Sequence, residues 1–138
     1  MILVIRIKGM VKIPSAVQET LFRMRLRRKY ASVLIKDNKE NRSLLEKVRN
    51  FVAYGEINPE TLEKLIDKRA VGLKGKKFDA KTVIAGLAKK GAEEVGIKPF
   101  FRLHPPRGGI DAKLHAGIRK GVLGNNKEAI NQLVERML

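Results

Sequence analysis

The residues of this sequence that most resemble a catalytic or metal-binding set are His104, Asp111 and His115. Imidazole nitrogens and a carboxylate can ligate a transition metal or transfer a proton. The spacing of these three residues, however, matches none of the usual zinc-ligand patterns, and the other carboxylates form no evident acid–base pair. Because the chain has no cysteine, thiolate ligands and a thiol nucleophile are excluded. We therefore predict no catalytic residue, no metal and no cofactor.

A cluster of arginines gives a stronger chemical signal. Residues 23–29, RMRLRRK, place five basic side chains close together. Guanidinium groups bind phosphate oxygens in a bidentate manner, which an ammonium group cannot do. If the cluster ends a helix, Arg23 and Arg27 share one helix face and Arg25 and Arg28 another. A solvated helix end is the alternative interpretation. The RNA-binding residues predicted here are Arg23, Arg25, Arg27, Arg28 and Lys29.

Three further segments are basic and rich in glycine or proline. KGKK (74–77) lacks the spacing of a nucleotide-binding P-loop, but its glycine permits close approach to a phosphate. FFRLHPPRGG (100–109) combines a proline-fixed extended segment with glycines that let the chain turn. KLHAGIRKGVLGNNK (113–127) is predicted to order on a polyanion rather than alone. Solvated loops are the simpler alternative for all three segments. The RNA-binding residues predicted in or beside them are Lys74, Lys76, Lys77, Arg102, His104, Arg107, Gly108, Gly109, Lys113, His115, Arg119 and Lys120.

The overall charge points to a polyanionic partner. Thirty Lys and Arg oppose fourteen Asp and Glu, which gives a formal net charge of +16 in 138 residues. Such an excess destabilises the compact state by self-repulsion unless a polyanion neutralises it. Nucleic acid fits best. A membrane surface fits poorly, because the basic clusters lack an adjacent apolar helix face. Aromatic residues are few, and Phe100 and Phe101 are predicted to be core or anchoring residues rather than base-stacking ones.

A compact unit is predicted to position the first arginine cluster. Arg6 and Lys8 alternate with apolar residues, which indicates a half-buried first strand over residues 1–8. A helix over 16–28 should begin with a capping box of Ser15 and Gln18. The helical crossovers alone favour parallel pairing of the strands. The later elements of this unit are a strand at 31–36, a helix capped by Asn41 or Ser43, and a strand at 52–56.

The remainder of the chain is predicted to be a helical extension with basic loops. Asn58, Pro59 and Glu60 are typical of a helix start. A strand or extended arm over 97–103 and a terminal helix with a capping box of Asn125 and Glu128 should follow. We therefore predict an α+β protein with a compact β-α-β-α-β core at 1–57 and a loop-rich helical extension at 58–138. Another helix is predicted between Asp79 and Gly91.

Two motifs in this sequence resemble a known family. FFRLHPPRGG and the terminal NNKEAINQLVERML, together with the opening β-α-β-α-β pattern, resemble the large-subunit ribosomal protein called number thirty in bacteria and archaea and number seven in eukaryotes. The likeness extends over the whole chain in the longer, archaeal-type form. About the first 57 residues correspond to the short bacterial form. The PPRGG block is the specific part. Because the chain begins at its first strand, without the basic extension of eukaryotic members, the archaeal type is expected.

The resemblance implies a fold and a function. The fold is a ferredoxin-like-related, three-stranded antiparallel sheet with helices on one face, in contrast to the parallel pairing considered above. The function is that of a structural constituent of the large ribosomal subunit in the cytoplasm, bound to the long ribosomal RNA. The partners include the 5S RNA and neighbouring ribosomal proteins, with no membrane and no small-molecule substrate. Arg107, Gly108 and Gly109 fall on the family's RNA-facing block.

Two other functions compete with this interpretation. A stand-alone basic protein that binds nucleic acid generally would share the charge but would not need the PPRGG block. An enzyme acting on RNA would use His104 or His115, although no catalytic motif accompanies them.

Overall fold

The computed structural model of the protein describes residues 1–9, 11–75, 77–87, 89, 95–115 and 121–138. Side chains of residues 111, 112 and 114 are not part of this description. The elements, in chain order, are β1 (Ile2–Arg6), α1 (Ser15–Arg23), β2 (Ala31–Ile35), α2 (Lys39–Val48), β3 (Val52–Glu56), α3 (Pro59–Arg69), a 3-10 turn (Leu73–Gly75), α4 (Ala80–Leu87), β4 (Phe101–Arg102), β5 (Asp111–His115), β6 (Gly121–Asn125), a second 3-10 turn (Lys127–Ala129) and α5 (Ile130–Met137).

The strands of the described residues form a mixed sheet in the order β4-β2-β1-β3-β6-β5. β1 pairs antiparallel with both β2 and β3, whereas β6 pairs parallel with β3 and β5. The backbone amide of Tyr30 donates to the carbonyl of Arg6 at 2.7 Å, so β2 begins beside the end of β1. The antiparallel core implied by the family resemblance is confirmed. The parallel pairing favoured by the helical crossovers is wrong for these three strands.

The C-terminal half contributes strands as well as helices. β4 pairs with β2, and β6 places Gly124 and Asn125 opposite Ala53 and Tyr54 of β3. Val122 and Leu123 of β6 are buried. Pairing with β3 and burial of apolar side chains stabilise β6, and the ordering of residues 113–127 on a polyanion stays a prediction. The α+β class is confirmed.

Helices cover both faces of the sheet. Ile2 and Val4 of β1 pack with α1 and α2, and the alternate residues Leu3 and Ile5 pack with α3, α4 and α5. In the N-terminal unit the helices therefore share one face, as the resemblance implied, while the extension covers the other. Every residue of β1 is buried, Arg6 included. The predicted half-buried first strand is wrong, because the extension removes the solvent-facing side.

Several helix boundaries differ from the predicted ones. α1 ends at Arg23, not at residue 28, and its first turn has Pro14 at the N-cap without a side-chain capping bond. The Ser15–Gln18 capping box is therefore wrong. α2 begins after Asn38, whose side-chain oxygen accepts from the amide of Asn41 at 2.8 Å. The Asn125 side chain accepts from the amide of Lys127 at 2.9 Å, so it opens a 3-10 turn ahead of α5 rather than forming a box with Glu128.

Other predicted boundaries are confirmed. β3 covers residues 52–56, and α3 begins at Pro59, with Asn58 at the N-cap but without the side-chain capping bond. α4 begins directly after Asp79, whose carboxylate accepts from the amide of Lys81 at 3.3 Å. The predicted end of that helix at Gly91 lies outside the described residues. Within 97–103, the strand covers Phe101 and Arg102.

Gly55 is a position where the fold requires the absence of a side chain. A Cβ built on Gly55 would overlap the carbonyl oxygen of Lys127 and lie 2.9 Å from Cβ of Ile130. The turn that carries this carbonyl is fixed, since the amide of Asn126 donates to the carbonyl of Tyr54 at 2.7 Å. β3 can therefore approach the start of α5 only with glycine at residue 55.

We expect Gly55→Ala to lower the free energy of unfolding by roughly 1–3 kcal/mol, the usual cost of overpacking a fixed core. Urea denaturation followed by circular dichroism measures this change. Gly9→Ala is the matched control, because a Cβ there meets nothing within 4 Å. Equal stability of the two variants would show that the β3–α5 contact is not tight.

Candidate nucleic-acid interface

Four of the predicted arginines converge on a cleft at one end of the sheet. Within the described part of the chain, the cleft has a volume of about 250 Å³ and contains no carboxylate. Guanidinium groups gathered in one cleft repel one another and attract anions. The cleft therefore has the electrostatic character of a phosphate-binding site. Its lining residues are Arg25, Arg27, Arg28, Ala31, Phe100 and Arg102.

The loop between α1 and β2 carries three of these arginines, and it is anchored in the core. Leu26 is fully buried, and its amide donates to the carbonyl of Leu21 at 2.9 Å. Arg25 has a positive φ of 63°, which ends the helix and reverses the chain. The predicted arrangement of the arginines on two faces of a continuous helix is thus wrong. A buried leucine between exposed arginines explains why the helix ends early.

The buried guanidinium of Arg6 fixes the loop between α1 and β2 through hydrogen bonds. Nη1 donates to the carbonyl of Leu26 at 2.6 Å, Nε to that of Lys8 at 3.0 Å, and Nη2 to that of Gly9 at 3.1 Å. Burial lowers the pKa of the Arg6 guanidinium, which nevertheless stays protonated because arginine is charged at any pH where proteins fold. Arg6 therefore joins the end of β1, the segment after it and the arginine loop.

β4 supplies the opposite wall of the cleft. Arg102 lies opposite Ala31 in the antiparallel β2–β4 pair, and the amide of Leu103 donates to the carbonyl of Tyr30 at 3.1 Å. Phe101 and Leu103 are buried, whereas Phe100 is half-buried and Arg102 is exposed. This alternation is the period-two pattern of a strand. It places Phe100 and Arg102 together in the cleft wall, with the Arg102 guanidinium carbon 5.8 Å from the centroid of the Phe100 ring.

The structure assigns different roles to the two neighbouring phenylalanines. Phe101 is a core residue, as predicted. Phe100 packs partly against the core, as an anchoring residue does, and also lines the cleft, which the sequence interpretation missed. The signal that would have identified it is its two-residue spacing from Arg102.

The HPPRGG segment is fixed against the end of α5. The amide of His104 donates to the carbonyl of Met137 at 2.9 Å, and the amide of Arg107 to that of Arg136 at 3.1 Å. These bonds satisfy carbonyls that a helix end leaves without partners. Gly108 and Gly109 have φ values of 79° and 72°, which favour glycine. The side chains of His104 and Arg107 are exposed, so the segment presents them from a fixed backbone.

The other predicted residues lie in other elements. Arg23 forms an exposed ion pair with Glu19 at 2.7 Å, and the ammonium of Lys29 lies 5.0 Å from the Tyr30 ring centroid. Lys74, in the 3-10 turn, and Lys77 are exposed. Lys113 and His115 are exposed on β5. Lys76, Arg119 and Lys120 lie outside the described residues.

Two kinds of feature are absent from the part of the chain that the structure describes. No group of three or more His, Asp or Glu side chains could hold a metal ion there. None of the helices described above has both the length and the apolar character to cross a bilayer.

Comparison with known proteins gives consistent similarities. A family model described as ribosomal protein L30p/L7e matches residues 2–52, from β1 to the start of β3. The large ribosomal subunit protein uL30 of Aeropyrum pernix is 38% identical, over 98% of this chain and 97% of that protein. The uL30 protein of Archaeoglobus fulgidus is also 38% identical, over 99% of both chains. That of Methanococcus maripaludis is 34% identical, over 98% of this chain and 97% of its own.

Proposed function

This chain belongs to the ribosomal protein L30p/L7e family, and from that premise we propose that its arginine-lined cleft binds phosphates of ribosomal RNA. As an archaeal-type member of the family, the chain is a structural constituent of the large ribosomal subunit and not an enzyme. Its place is on the ribosome in the cytoplasm, with ribosomal RNA and ribosomal proteins as partners.

The observation that carries this proposal is the convergence of Arg25, Arg27, Arg28 and Arg102 in the cleft, where the described lining has no carboxylate. The loop arginines and the β4 arginine are more than seventy residues apart in sequence. The fold therefore brings distant arginines into one cleft, and a net charge of +16 would not by itself produce this local concentration of positive charge. Guanidinium forks suit phosphate oxygens, and affinity for RNA comes largely from such contacts.

The exposed residues of the other basic segments extend the proposed interface. His104 and Arg107, on their fixed backbone, would contact RNA beside α5, with Gly108 and Gly109 allowing close approach. A Cβ on either glycine meets nothing within 4 Å, so the protein itself leaves this space open. Lys74, Lys77, Lys113 and His115 would add contacts, and Lys76, Arg119 and Lys120 are proposed from sequence. Proximity to the 5S RNA belongs to the proposal on the strength of the family resemblance.

The test is binding to large-subunit ribosomal RNA compared with an equal mass of random duplex DNA across a salt series. We expect the ribosomal RNA complex to survive salt concentrations that dissociate the DNA. The logarithm of the binding constant should fall against the logarithm of salt concentration by about 0.7–0.9 per phosphate contacted. Filter binding or fluorescence anisotropy measures both. If RNA and DNA bind alike at every salt concentration, the protein is a general nucleic-acid binder instead.

A further inference from the structure

We propose that the cleft holds an unpaired nucleotide of the RNA, with its base stacked on Phe100 and Arg102 and its phosphate bound by the loop arginines. This inference rests on the proposed function and makes it more specific. If the cleft bound only phosphates, any regular RNA duplex could occupy it. The nucleotide proposed here must come from a bulge, a loop or a strand end.

The evidence for a base is the pairing of an aromatic ring with a guanidinium group in one wall of the cleft. The half-buried ring of Phe100 lines it, and the Arg102 guanidinium lies 5.8 Å from the ring centroid. An aromatic ring and a guanidinium plane are the two groups on which proteins stack extruded bases. A base inside a duplex is already stacked on both faces and cannot use this wall. The arginines by themselves would account for a phosphate and would leave Phe100 without a role in binding.

The wall is held in place by the fold. Arg102 is paired across the sheet with Ala31, and Phe100 packs against the core that α1 and α2 share with β1. On the facing side, buried Leu26 anchors the arginine loop. A site that is already formed loses little conformational freedom when its ligand binds. Its volume of about 250 Å³ limits the occupant to a small part of the RNA.

Phe22 provides a matched comparison within the same molecule. It is 38% exposed, and the guanidinium carbon of Arg27 lies 5.8 Å from its ring centroid, the same distance as in the Phe100–Arg102 pair. Phe22 is not among the residues that line the cleft. A cation–aromatic contact alone therefore does not define the site, and the two phenylalanines can be tested against each other.

The experiment uses the full chain and two short RNA duplexes that differ at a bulge. In one duplex the bulged nucleotide carries the fluorescent base 2-aminopurine, and in the other it is abasic, so both have the same number of phosphates. We expect the base-containing bulge to bind about tenfold more tightly, the effect of stacking a base. Its fluorescence should fall on binding as the base stacks.

Two variants then locate the effect. Phe100→Leu should reduce binding of the 2-aminopurine bulge to the abasic level and leave abasic binding unchanged, whereas Phe22→Leu should alter neither. Equal binding of the two probes to the unmodified protein, without a fluorescence change, would overturn the inference, and this comparison does not depend on how any variant folds. The proposed function would survive that outcome, since it is tested separately by the comparison of ribosomal RNA with duplex DNA and by replacement of the cleft arginines.

Discussion

Replacing Arg6 with methionine is expected to lower the free energy of unfolding by about 2–4 kcal/mol. The substitution keeps an unbranched side chain of similar length but removes the donors for the carbonyls of Leu26, Lys8 and Gly9. The Leu26 bond is buried, so its carbonyl would lose its partner away from water. Removing a buried charge offsets part of this cost, because desolvating a guanidinium is itself unfavourable. Chemical denaturation measures the balance.

Arg23→Met is the matched control for this prediction. The Arg23 side chain is 78% exposed and its ion pair with Glu19 lies in solvent, so we expect a change below about 0.5 kcal/mol. Arg6→Lys should fall between the two, because an ammonium keeps the charge without the fork that spans three acceptors. A methionine variant as stable as the unmodified protein would mean that water replaces the lost donors at these carbonyls.

The second large effect concerns binding rather than stability. Changing Arg27, Arg28 and Arg102 together to glutamine should weaken ribosomal RNA binding by about a hundredfold, which corresponds to roughly 1 kcal/mol for each lost phosphate contact. The salt dependence should also become shallower, by about 2 in the log–log slope. All three side chains are exposed, so the fold should be retained. Anisotropy titrations at several salt concentrations give both quantities.

A variant that loses the same charge elsewhere distinguishes the contribution of the cleft arginines to RNA affinity from the contribution of the protein's net charge. Lys47, Arg49 and Lys68 are exposed and do not line the cleft. Their replacement by glutamine should weaken binding by less than about tenfold through long-range electrostatics. If the two triple variants lose the same affinity, net charge governs binding and the cleft is not a specific site.

The elements that the sequence predicted well carry strong local signals. Proline at the first helical position marks the start of α3, and the apolar stripe of Ile130, Leu133, Val134 and Met137 defines α5. The end of α1 lacks such a signal, because arginine and leucine favour a helix. That helix ends where burial of Leu26 and the positive φ of Arg25 override local preference, and both depend on tertiary packing.

The candidate site was predictable in its residue types but not in its arrangement. Arginine clusters indicated phosphate binding, and Arg102 belonged to the predicted set. Its position beside the loop arginines depends on the β2–β4 pairing, a contact between distant parts of the chain that periodicity does not encode. The alternation of Arg6 with isoleucines predicts a solvent-facing side chain on a half-buried strand. Its burial depends on acceptors from other segments, which a linear pattern does not reveal.

The order of the elements along the chain, with β6 and α5 far behind β1 and β3, has a consequence for synthesis. These two later elements cover the face of the sheet that carries Leu3, Ile5 and Ala53. While the chain is being translated, α3 and α4 can cover part of this face, but the rest stays exposed to water until β6 and α5 leave the exit tunnel. During synthesis the nascent N-terminal unit therefore has exposed apolar surface, and such surface makes a nascent chain prone to aggregation. The face is complete only when β6 and α5 pack against strands that were made much earlier, which is a contact between distant parts of the chain.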